Sequence, residues 1–165
     1  MRRFVIPAFA ICAALLVGGQ APVQQPAAAP PTPPPFSYGT PITLEQAKQA
    51  AAAAEAEAKK RNMNMAIAVV EPTGDLVYFQ KMDGTQYSSI KIAQAKATSA
   101  AIFGRSTKIF RERVAAGDLS PMALVGAVAS DGGIPIVVNG KTIGAIGVSG
   151  GADDPVAQAG ANALK

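Results

Sequence analysis

The stretch IPIVVNGKTIGAIGVSGGADDPVAQAGANAL, residues 134–164, reads as strand, tight turn, strand, glycine turn and helix. Asn139-Gly140 between two apolar runs suits a type I′ hairpin, because both central residues of that turn need positive φ. The helix is expected from about Pro155 to Leu164, capped by Asp153 or Asp154 with the proline near its first position. Gly147-Val148-Ser149-Gly150-Gly151 satisfies G-x-S-x-G, and its strand–turn–helix surroundings are those of a hydrolase nucleophile elbow. A serine nucleophile needs a neighbouring base, usually histidine, and the chain contains no histidine. Gly140-Lys141-Thr142 imitates the end of a phosphate-binding loop, but Pro135 stands where the first glycine belongs and the context is a hairpin. The glycines of this stretch therefore serve shape before chemistry.

Working outward, SSIKIAQAKATSAAIF (88–103) reads as a helix capped by Ser88 or Ser89, with Ala93, Ala97 and Ala101 forming a stripe for close packing on a sheet. A shorter helix follows over about Thr107–Ala116, and its Arg111–Arg113 triplet reads as a solvated face. Upstream, MAIAVVE and LVYFQKM flank the turn Pro72–Asp75, which makes an earlier hairpin. Before it, Thr43 followed by Gln46 is a capping-box pattern, and Leu44, Ala47, Ala51, Ala54 and Ala58 repeat at helical spacing. The expected order is helix, hairpin, two helices, hairpin, helix. That order defines an α/β (α+β) domain with an antiparallel sheet of four to five strands flanked by helices.

The first residues carry a different signal. Arg2 and Arg3 precede an apolar run, Phe4–Val17, and small residues follow, the pattern of a secretory signal peptide over residues 1–21. The run is shorter than the roughly 20 residues of a membrane span, so no stable span is expected. Residues 22–36 hold seven of the 13 prolines and read as an extended spacer, and residues 37–165 form the folded domain. A periplasmic or secreted location follows. Export removes Cys12, the one cysteine, and with no histidine either, a zinc or iron–sulfur centre cannot be built, so no metal site is expected. Without Arg2 and Arg3 the balance is 13 basic to 11 acidic residues, a net of +2, which is no nucleic-acid footprint.

Three stretches together carry a resemblance: MAIAVVEPTGDLVYFQKMDG, SSIKIAQAKATSAAIFGRST and DGGIPIVVNGKTIGAIGVSGGADDPVAQAGANAL. The chain resembles the GlcG/HbpS-like haem-binding family, also called haem-degrading domain proteins, and the C-terminal domain of the corrinoid adenosyltransferase PduO. The resemblance implies a profilin-like fold, homo-oligomers, and haem or another tetrapyrrole as cofactor or ligand, in some members as extracellular accessories to haem sensing. The absent histidine is a departure. Haem iron would have to take Met82, Tyr87, Thr98 or Lys96, or the haem would sit in an apolar cleft between subunits.

Read from the residues, the candidate ligand-binding positions are Met82, Asp83 and Tyr87 in KMDGTQYSS, Lys96 and Thr98 in the long helix, and Ser149 with Gly150 in the glycine turn. Strand-end loops commonly meet ligands. Lys96 among small residues can meet a propionate or lay its stem along the surface. Thr98 is expected to bond back to its own helix. The glycine turn can hold an anion, or Asp153 and Asp154 can serve the helix start themselves. Three functions remain: an exported small-molecule-binding protein, an enzyme using Lys96 and Asp83 as acid and base, or a non-catalytic oligomeric scaffold.

Overall fold

The computed structural model describes residues 37–165; the expected signal peptide, with Cys12, and the proline-rich spacer lie outside them. The elements run α1 (Leu44–Lys60), β1 (Ala66–Val70), β2 (Leu76–Lys81), α2 (Ser88–Phe103), α3 (Lys108–Ala115), a 3₁₀ turn (Ser120–Ala123), β3 (Gly133–Val138), β4 (Lys141–Ser149) and α4 (Asp153–Asn162). Both hairpins form where the turn residues placed them, with Asn139 and Gly140 at φ 51° and 73°. The sheet has four strands in the order β2-β1-β4-β3. All three pairings are antiparallel, and Ala66 of β1 lies opposite Ser149 of β4.

Two layers of helix cover this sheet, so the central strands are buried on both sides: all of β1 is buried, as is β4 beyond Lys141. One face is aliphatic. Met65, Ile67, Val69, Ile136, Ile146 and Val148 pack there against the alanines of α1 and against Val156, Ala157 and Ala161 of α4. The other face is built of small residues, Ala66, Ala68, Val70 and Ala145 against Ala93, Ala97, Ala100 and Ala101 of α2. Here α2 lies very close to the sheet. A Cβ on Gly147 would stand 2.1 Å from the Ala93 carbonyl oxygen and 2.4 Å from the Ala97 nitrogen. The small-residue stripe and the glycine of β4 are two halves of one close contact.

The capping box of α1 is present: the Gln46 N–H donates to Thr43 Oγ1 (3.2 Å) and the Thr43 N–H to Gln46 Oε1 (3.0 Å). Its buried face differs slightly from the expectation. Leu44 in the first turn is half exposed, and Ala50 joins the buried alanines. Caps at the other helices also differ. Tyr87, with no capping side-chain bond, precedes α2, while Ser89 is buried. Asp153 and Asp154 are the first residues inside α4 rather than its cap, which is Ala152. The physical reason lies in the turn, where the Asp153 carboxylate reaches back instead of forward.

Candidate functional site

The glycine turn after β4 is closed from within. Asp153 Oδ1 accepts the N–H groups of Gly150 and Gly151, both at 3.0 Å, and Oδ2 accepts from Lys96 Nζ at 2.5 Å. Lys96 Nζ also donates to the Val148 carbonyl at 3.3 Å, and its side chain is only 2% exposed. The N–H groups that could have received a ligand anion are thus occupied by the chain's own carboxylate. Ser149 is buried, with its hydroxyl 3.2 Å from that of Ser89. A sealed serine bonded to a second serine has no base beside it, so the elbow pattern here is structural.

Lys96 and Asp83 do not form a pair, since the ion pair of Lys96 is with Asp153. Asp83 and Met82 instead line a surface cavity of about 370 Å³ with Glu55, Lys59, Asn64 and Lys81. Met82 continues the β1–β2 pairing by donating its N–H to the Met65 carbonyl (3.0 Å), while its sulfur accepts the Met65 N–H (3.4 Å). Glu55 is held by Lys59 Nζ (2.6 Å) and Gln80 Nε2 (3.0 Å). Those bonds, that of Lys59 first, keep its carboxyl below the usual value. Gly150 borders this region, because a Cβ on it would meet the Asn64 carbonyl oxygen at 2.4 Å. Tyr87 stands apart at the start of α2, 86% exposed.

A second, apolar groove of about 360 Å³ is lined by Tyr38, Pro72, Thr73 and Ile102. Tyr38 precedes α1 and was not singled out from the sequence; only its aromatic ring, one of three tyrosines, could have signalled it. A bridge to Thr142 holds its backbone, and its hydroxyl reaches the carbonyls of Ala101 (3.2 Å) and Ile102 (3.1 Å). Thr98 lies one helical turn from Ile102 and donates to the Gly74 carbonyl at 2.9 Å, not to its own helix. A Cβ on Gly74 would meet both Thr98 and Ile102 side chains, so Thr98 borders this groove. Among the described residues no cluster of three or more His, Cys, Asp or Glu is placed to hold a metal ion, and no helix is long and apolar enough to cross a membrane.

This architecture, an open antiparallel sheet between an aliphatic and a small-residue helical layer, defines a small α+β class of domain. The family model described as haem-degrading protein HbpS-like matches residues 42–163, and the chain belongs to that family. Over 82 residues it is 38% identical to protein GlcG of Escherichia coli K12, a match spanning 50% of this chain and 61% of GlcG. A double mutant of Streptomyces reticuli HbpS superposes with a TM-score of 0.70 at 31% identity, covering 85% of this chain and 99% of HbpS. A PduOC:haem complex shares the fold, with a TM-score of 0.68 at 22% identity over 76% of this chain and 96% of PduOC.

Proposed function

We propose that this protein is an exported binder of haem or a related tetrapyrrole, acting in the periplasm or outside the cell as an accessory to haem sensing or handling. The family membership supports haem-related binding, and the names of HbpS-like relatives and of a haem complex among the structural neighbours point the same way. The observation that carries the reading to a place is the apolar groove at Tyr38 and Ile102. The residues there fit the group in kind. An apolar wall suits a macrocycle face, and the Tyr38 and Thr98 hydroxyl oxygens, whose protons go to the Ala101, Ile102 and Gly74 carbonyls, keep lone pairs for iron; a tyrosine oxygen is a known haem-iron ligand. The Lys96 turn does not fit, because its ammonium and its backbone donors are already bound to Asp153.

The same groove adjoins an exposed apolar loop. Leu119, Met122 and Val125 are 65%, 70% and 95% exposed, and Gly126 packs against Ile102. Such a loop supports a homo-oligomer whose interface borders the groove, and light scattering across micromolar concentrations tests it. The enzyme alternative with Lys96 and Asp83 loses its pairing, as described above. Export is tested separately by the intact mass from the native host, expected to begin near residue 20 or 22.

Haem titration followed in the Soret region tests the main reading. A saturable change without a bis-histidine spectrum is expected, since no side-chain imidazole exists. Tyr38→Phe or Thr98→Val should alter that spectrum, whereas Tyr87→Phe should not. No saturable change at tens of micromolar haem, roughly the weak end for a specific ligand, sinks the reading for this protein.

A further inference from the structure

The polar cavity between α1 and the end of β2 is a second site, chemically unlike the apolar groove. Its six lining residues include two cations, Lys59 and Lys81, and two anions, Glu55 and Asp83. They do not play equal parts. Glu55 and Lys59 satisfy each other, with Gln80 completing Glu55. Lys81 and Asp83 are different. The Lys81 ammonium donates to the Met82 carbonyl at 3.2 Å but has no ion pair among the described residues. Asp83 and the Asn64 side chain have no hydrogen-bond partner among them.

The backbone explains why these free groups converge. Lys81 is the last residue of β2 and Asp83 opens the turn after it, so both reach the cavity from the strand end, while Met82 between them turns back to Met65. The following turn is fixed by Thr85, whose hydroxyl (2.7 Å) and N–H (3.2 Å) both donate to the Met82 carbonyl. Gly84 leaves Asn64 its place, because a Cβ there would stand 3.0 Å from Asn64 Nδ2.

We infer that this cavity binds a small zwitterion of the α-amino-acid class, with its carboxylate at Lys81 and Asn64 and its ammonium at Asp83. The charges lining the cavity balance, so a simple anion meets two carboxylates and a simple cation meets two ammonium groups. A ligand carrying both charges satisfies both free groups at once. The volume, about 370 Å³, is at the small end for ligand pockets and suits a compact molecule. Because the groups are solvent-facing, each pair contributes little and affinity should be modest.

Amide shifts of the full chain, titrated with free glycine at constant ionic strength, test this. Saturable shifts at Asn64, Lys81 and Asp83 are expected, with acetate or methylammonium alone several-fold weaker. Lys81→Gln and Asp83→Asn should each weaken glycine binding about two- to fivefold, the range of an exposed ion pair. No saturable shift, equal binding of acetate and glycine, or unchanged binding by both variants overturns the inference. Haem is read in the Soret region at the Tyr38 groove, so failure here leaves that reading standing, and the reverse holds.

Discussion

The interior and the surface of this molecule each place a lysine near an aspartate, and the two arrangements do opposite work. Lys96 and Asp153 meet at 2.5 Å with the lysine side chain 2% exposed, and the Asp153 carboxylate is shared between that ammonium and the N–H groups of Gly150 and Gly151. Lys81 and Asp83 share a cavity wall but make no ion pair, and both are exposed. A charge that has lost its water must be fully partnered, so the interior pair has nothing left to offer a ligand. A charge still in water can exchange that water for a ligand. The lysine that looks most unusual in the sequence is therefore structural, and the ordinary one at a strand end is free to bind.

Breaking the interior arrangement should give the largest effect. Asp153→Ala leaves the Lys96 ammonium buried without a counter-charge and strips Gly150 and Gly151 of their acceptor, which should cost about 3–5 kcal/mol. Chemical denaturation measures it. Adding Lys96→Met to Asp153→Ala should recover part of that loss, because the unpaired charge is gone. A loss below about 1 kcal/mol for the single variant would remove the distinction between the two lysines.

The next effect tests how the interior pair is reached. Lys96 meets Asp153 because α2 lies close on β4, and Gly147 permits that approach. Gly147→Ala puts a methyl group 2.1 Å from the Ala93 carbonyl oxygen, a backbone atom that moves only if the helix lifts. Overpacking of this kind costs about 1–3 kcal/mol, and lifting α2 also loosens Lys96 from Asp153. Unfolding midpoints equal to wild type would show that the two elements are not in the contact described. The exposed pair sets the contrast: Lys81→Gln and Asp83→Asn should change stability by less than about 0.5 kcal/mol.

How much of this was legible beforehand follows from the range of each interaction. Local chemistry was readable: Thr43 with Gln46 and Asn139-Gly140 each act within a few residues, and each formed the expected element. Long-range partners were not. Lys96 stood out among alanines, yet its partner lies 57 positions away. The one hint was an aspartate directly after the glycine turn, and it was read forward as a helix cap instead of backward as a turn closure. Tyr38 was missed because its hydroxyl works 63 residues away, at the Ala101 carbonyl. For Lys81 and Asp83 only the strand-end loop was within reach, because Asp83 lies in the turn after β2, where strand alternation no longer sets the side a residue takes.

The smallest effect separates good geometry from burial. Arg113 and Asp118 meet as well as the interior pair does, with Asp118 Oδ2 accepting from Arg113 Nε at 2.8 Å and from its terminal nitrogen at 2.7 Å. Asp118 Oδ1 also accepts the Ser120 N–H at 2.9 Å. Bonds from Ser120, side chain before backbone, and then from Arg113 hold the Asp118 carboxyl down to about 2, against an ordinary 3.8. A carboxyl whose folded value is depressed stabilises the fold above its unfolded value, so this contribution is complete above pH 3.8 and disappears as pH falls through about 2. Both groups lie in solvent, where screening keeps such a pair weak, so little stability should be lost in that window. An NMR titration of the Asp118 carboxyl should give a midpoint near 2, moving toward 3.8 in Arg113→Gln. A wild-type midpoint already at 3.8 would mean that the pair does not persist in water. It would also mean that distance alone, without burial, decides nothing about these charges.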